Sequence, residues 1–150
     1  MEAKNLRIGN LFLDHEAEKN QIIWSIEEIK RNTNTSKLLG VSFRSGSCWT
    51  SLEWVQPIEL TNVIMDKLFG EPQFSNGWLF KTDQLDVNIE FIESGEHYYP
   101  QIKQYPELSS EEIQIVSLNR IKYFHELQNL IFAIQGEEFE FEIETLKAAL

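Results

Sequence analysis

Apolar and polar residues alternate with a period of two over most of this chain, and the period lengthens to three or four in only two places. Residues 6–13 are apolar apart from Arg7 and the Gly9-Asn10 pair. That pair tolerates positive φ, so the pattern predicts a strand interrupted by a bend. Beyond a polar stretch, Ile22, Trp24 and Ile26 point one way and Ile23, Ser25 and Glu27 the other, the alternation of a half-buried strand. Apolar runs at 38–43 and 49–55 flank Arg44-Ser45-Gly46-Ser47, whose Gly and Ser suit a hairpin connection. These short strands predict a small curled antiparallel sheet or an SH3-like barrel, with Phe12, Trp24, Phe43, Trp49 and Trp54 filling its interior.

The first change of period follows Pro57-Ile58-Glu59-Leu60-Thr61. Thr61 is a good N-cap, Val63, Ile64, Lys67 and Leu68 form a short amphipathic stripe, and Gly70 with Pro72 is a stop signal. A two-turn helix is expected. Strands at 77–81 and 85–91 then make a hairpin, because Leu85, Val87, Ile89 and Phe91 alternate with Asp86, Asn88 and Glu90, giving one dry face and one wet one. Ser94-Gly95 turns the chain into a third strand near 97–103, and 113–116 pairs again, completing a meander. From 121 to 134, Ile121, Phe124, Leu127, Ile131 and Ile134 recur at helical spacing, and Gly136 ends the helix. Finally Phe139, Phe141 and Ile143 alternate with Glu138, Glu140, Glu142 and Glu144, which predicts a C-terminal strand. The expected class is α+β, as a single domain over 1–150 with a β-rich part to about residue 60 and an α+β part from about 61 packed on it.

Composition supports a folded domain that needs no staple. With 150 residues, 42% of them hydrophobic, ten Phe and four Trp, the chain can fill a core. Cys48 is the single cysteine, so no intrachain disulfide exists and a reducing, cytoplasmic setting is expected. No basic-then-apolar leader and no run near the ~20 apolar residues of a membrane span is present, so neither export nor membrane insertion is expected. The formal net charge of -11 repels nucleic-acid phosphate unless basic residues gather locally. Lys30, Arg31, Lys37 and Arg44 come nearest, and they read as a solvated loop and strand face, which disfavours nucleic acid as a partner.

Three segments carry a resemblance. Leu6-Arg7-Ile8-Gly9-Asn10, the Pro57–Thr61 segment, and the late run from His125-Glu126-Leu127-Gln128-Asn129-Leu130 to Gly136-Glu137-Glu138 are similar to the signature of short uncharacterised proteins encoded in bacterial prophages and mobile elements. The late helix departs from that family at Ile131, where an aromatic is usual, and at Gln135, where Thr is usual. The resemblance implies a phage or mobile-element context and no activity.

Residues with chemical potential are few. His125-Glu126 opens like a zincin helix, yet the position one turn on is Asn129, so a ligand is missing and no metal site is expected. Asp14-His15-Glu16, and Glu93 with His97, set imidazole beside carboxylate in predicted turns, where polar residues are ordinary. Cys48 beside Trp49 reads as a small hydrophobe. No catalytic or cofactor-binding constellation is visible. Trp49, Trp54, Tyr98 and Tyr99 could serve either a core or a partner surface.

The leading expectation is therefore a non-enzymatic binding or accessory module that engages a protein partner, with a homo-oligomer compatible with the sequence. A small hydrolase assembled from His15, His97, His125 and acidic residues is the alternative. A third reading takes the Glu138–Glu144 comb, about 7 Å between successive carboxylates on a strand, as an acidic mimic of DNA.

Overall fold

The structure is a computed structural model that describes residues 6–14, 22–31, 38–45, 48–73, 77–82, 87–104 and 112–150. The chain is α+β and divides into two compact units, 1–59 with 123–134 and 150, and 60–122 with 135–149. The late helix, up to Ile134, thus belongs with residues 1–59 and not with the segment that precedes it.

The N-terminal unit is built on β1 (Leu11–Asp14), β2 (Ile23–Arg31), β3 (Leu38–Ser45), β4 (Cys48–Ser51) and β5 (Val55–Pro57), an antiparallel sheet in the order β4-β3-β2-β1-β5. Among the described residues nothing pairs β4 with β5, so of the two expected forms the open sheet is the one realised. A short 3-10 turn, Leu52–Trp54, separates those two strands. The bend before β1 follows from Gly9, whose φ of 88° favours glycine. Its amide donates to the Ile26 carbonyl at 2.8 Å, and the Ile26 amide donates to the Asn10 carbonyl at 2.9 Å, so the bend is stitched to β2. Pairing of β2 with β3 slips between Ile26 and Glu28, a bulge that curls the sheet. Leu6, Phe12, Trp24, Ile26, Val41, Phe43 and Val55 form its core, with Phe12 edge-on to Phe43 at 5.2 Å. Helix α2 (Phe124–Gln135) belongs to this unit and buries Phe124, Leu127 and Ile131.

The C-terminal unit begins with helix α1 (Asn62–Phe69), capped as its sequence predicts. The Thr61 hydroxyl accepts from the Ile64 amide, and Gly70 closes the helix at φ 81°. Its inward side is Ile64 and Met65, while Val63, expected in the stripe, is exposed. The meander is β6 (Gly77–Lys81), β7 (Val87–Ser94), β8 (His97–Gln104) and β9 (Gln114–Ser117), in that order and antiparallel throughout. Phe91 of β7 and Phe80 of β6 meet Phe69 of α1, and Trp78 of β6 lies edge-on to Tyr98 of β8 at 5.7 Å.

Two expectations for this unit are corrected. Residues 138–142 form no strand, and Ile143–Lys147 is a short helix, α3, with Leu146 buried. Alternation survives, since Phe139 and Phe141 are half-buried and Glu138, Glu140 and Glu142 exposed. A strand also needs a ladder for its amides, and here the apolar side is satisfied by ring contacts of Phe139 with Phe69 and Phe80, each at 5.8 Å. The face of β7 expected to be wet is not fully so either. Glu90 is buried because Lys103, its diagonal neighbour on β8, covers it in a 2.6 Å ion pair.

Candidate functional site

The segments at 6–10 and 125–129 meet inside the N-terminal unit. Asn10 is fully buried, and its side-chain oxygen accepts from the Arg7 amide at 2.8 Å, closing the turn that Gly9 permits. Its amide nitrogen donates to Asn129 Oδ1 at 2.9 Å, and Arg7 Nη1 approaches the same oxygen at 3.4 Å while its guanidinium lies 3.8 Å from the centre of the Phe132 ring. Next to Asn129, buried Gln128 accepts from the Leu11 amide at 3.0 Å and donates to the Gly9 carbonyl at 3.3 Å. Ile58 joins this arrangement through its carbonyl, which accepts from the Phe124 amide at 2.9 Å, and Glu59 bridges to Tyr123. These polar groups bind one another, so the cluster acts as a clamp between a turn and a helix.

His125 is 3% exposed, with Phe12 stacked at 5.1 Å and Tyr123 at 5.8 Å. Its Nδ1 has no hydrogen-bond partner among the described residues. Glu126 is occupied at the helix start, where Oε2 accepts from the Tyr123 amide at 3.1 Å. No group of three metal-ligating side chains exists among the described residues. The His125-Glu126 pair is thus divided between a core position and a cap.

Burial holds the His125 pKa below the usual histidine value, against a smaller opposing pull from Glu126. The neutral ring is the form that fits the fold. Its contribution to stability is complete above the unfolded value near 6.5 and is lost as pH falls through the lower folded value. Urea midpoints measured from pH 7.5 to 5 should therefore fall with pH, and His125→Phe should flatten the part of that slope below 6.5. An unchanged slope in the variant would assign the dependence elsewhere.

The remaining candidates separate. His15 and Glu16 lie outside the described residues, and Asp14 accepts from Trp24 Nε1 at 3.1 Å. Register puts Glu93 opposite Tyr98 and Ser94 opposite His97, so Glu93 and His97 face opposite sides of the sheet. Glu93 instead accepts from Asn62 Nδ2 at 3.0 Å. His97 belongs to the C-terminal unit and His125 to the N-terminal one. Cys48 is exposed at the start of β4. Arg44 is exposed on β3, Lys37 lies outside the described residues, and the side chains of Lys30 and Arg31 do so as well.

Of the four aromatic candidates, Tyr98 is core. Its hydroxyl donates to Asn62 Oδ1 at 2.6 Å, and burial, reinforced by Glu93 and Asp66, pushes its pKa up to about 12. Tyr99, its neighbour, faces the other side and is 39% exposed. Trp54 is 54% exposed at the end of the 3-10 turn. Trp49 sits on β4, but its side chain lies outside the described residues.

One surface was not singled out by the sequence. Strand β9 is exposed at every residue, and Ile113, Ile115 and Val116 are 48%, 55% and 55% exposed. Among the described residues it pairs with β8 alone, leaving its second edge open. The Leu118 amide donates to the Pro100 carbonyl at 2.9 Å, and antiparallel alternation then turns Gln114 and Val116 toward β8 and Ile115 and Ser117 outward. Natural edges are usually guarded by charge or proline. Edge strand β5 carries Pro57 and edge strand β6 ends in Lys81, whereas Gln114-Ile115-Val116-Ser117, like the edge strand Cys48-Trp49-Thr50-Ser51, has neither. A short apolar run after a polar stretch was the available signal, and its exposure was not legible from it.

No helix among the described residues is long and apolar enough to cross a membrane. No protein-family model, curated protein or solved structure matches the chain.

Proposed function

We propose that this chain is a binding module that docks an extended segment of a protein onto the open edge of β9. The observation that carries the reading is an uncharged edge strand with two β-branched side chains more than half exposed. Such an edge offers outward amides and carbonyls for strand addition, and its side chains supply apolar contact on both faces. Tyr99 lies on the same face as Ile115, separated from it by Gln101 and Ser117, because Gln101 stands opposite Ser117 and Lys103 opposite Ile115. An accessory role in a phage or mobile element, expected from the resemblance, is compatible with a small module of this kind.

Selection of peptides from a random displayed library on the purified chain tests this. The selected peptides should bind the wild type and lose at least tenfold in affinity against Ile115→Pro. That substitution removes an outward N–H and leaves the bonds to β8 in place. Peptides that bind Ile115→Pro as well as they bind the wild type would overturn the reading.

A further inference from the structure

We infer that the segment from Glu138 to Glu144 is a docking surface for a basic, apolar segment of a partner protein. Aromatic rings of the C-terminal unit meet there in series. Phe69, at the end of α1, stacks on fully buried Phe91 at 5.3 Å, and Phe139 meets both Phe69 and Phe80 at 5.8 Å and Phe141 at 5.6 Å. Phe69, Phe80, Phe139 and Phe141 are each only half-buried, and Ile143, two residues beyond Phe141, is 47% exposed. Single exposed apolar side chains are ordinary, whereas a contiguous run of them marks a place where something binds. The surface is also preformed. Phe139 anchors the start of the segment through its ring contacts, and Leu146, 1% exposed, anchors its end, where α3 packs on α1. A partner meets a surface already ordered, which lowers the cost of docking.

Charge identifies the occupant. Glu138, Glu140 and Glu142 alternate with the two phenylalanines, Glu137 and Glu144 flank them, and all of these carboxylates are exposed. Lys147 is paired with Glu144 at 2.7 Å, and Lys67 and Lys81 are the exposed cations of α1 and β6, so carboxylates outnumber cations around the rings. A second copy would bring the same carboxylates to the contact, and the phosphates of nucleic acid or of an anionic lipid surface would be repelled in the same way. A segment that sets Lys or Arg beside apolar side chains satisfies both halves of the surface. Its apolar groups cover the ring edges and Ile143, its cations meet the carboxylates, and the net charge of -11 speeds its approach. Strand docking on β9 uses no residue of this segment, so the two readings stand separately.

The probe is a labelled synthetic peptide of leucine and lysine at helical spacing, titrated with the whole chain at about 0.15 M salt and read by fluorescence anisotropy. Binding should be saturable. Replacing Glu138, Glu140 and Glu142 together by glutamine should weaken it about fivefold or more, whereas Glu27→Gln, Glu28→Gln and Glu53→Gln together, which remove the same charge from exposed positions of the N-terminal unit, should weaken it less than about twofold. Ile143→Ser, at an exposed position, should weaken binding about threefold or more with an unchanged near-ultraviolet spectrum. Ile115→Pro should bind the peptide as the wild type does. Equal losses from the two triple variants would reduce the effect to net charge and overturn the inference. So would a peptide with glutamate in place of lysine that binds as well, or an Ile143→Ser chain that binds as tightly as the wild type. Self-association of the free chain that Ile143→Ser abolishes would make the occupant a second copy and likewise sink the inference.

Discussion

Replacing Gln128 with leucine is expected to destabilise the N-terminal unit by about 1–3 kcal/mol for each of the two backbone groups it orphans. Leucine fills nearly the same volume, so little of this loss comes from a cavity. What disappears is the acceptor for the Leu11 amide and the donor to the Gly9 carbonyl, at a side chain that is itself buried. Both groups lie where the chain enters β1, the Leu11 bond buried and the Gly9 bond part-buried. Urea denaturation measures the total, and hydrogen exchange at the Leu11 amide should accelerate more than at Phe43 in the same unit. A loss under about 0.5 kcal/mol would show that the two groups find other partners and that the clamp is dispensable.

Trp78→Ala should cost the C-terminal unit about 3–5 kcal/mol, the range for truncating a large buried aromatic. Trp78 is 2% exposed, lies against Tyr98, and donates from Nε1 to Asp66 on α1 at 2.8 Å. Packing is expected to dominate, because Asp66 is exposed and can return to water when its donor is removed. Trp78→Phe separates the two effects. It keeps most of the buried ring and loses the hydrogen bond, so its denaturation midpoint should lie much closer to wild type. Equal losses from the two substitutions would mean that the bond between β6 and α1 matters more than the ring.

How far the fold could be read from sequence depends on whether a feature is set locally. Thr61 and Gly70 mark the ends of α1 because capping joins residues three or four apart in the chain. Gly9 marks its bend for a similar reason, and the meander follows from a period of two that any strand must obey. The candidate site was less legible. Tyr98 and Tyr99 had to face opposite sides of β8, but which of them faces inward depends on where α1 lies, and Asn62 supplies the partner that fixes Tyr98. The exposure of the β9 edge is not legible in the sequence because its apolar residues are the types a core would use.

By itself the sequence determined the α+β class, the order of the helices and strands down to the late helix except that the run expected as one strand at 49–55 breaks into β4 and β5 around a 3-10 turn, and a net negative charge, since each depends on side-chain periodicity or on a sum over residues. Tertiary structure decided that Glu90 is covered by Lys103, that Gln128 and His125 turn inward from a helix that reads as half polar, and that the Phe139 to Ile143 alternation packs as rings and a helical turn instead of a strand. In each of these cases the partner is a residue or backbone group distant in the chain. A pattern along one segment records which side of it is apolar, but not which distant group will satisfy its polar atoms.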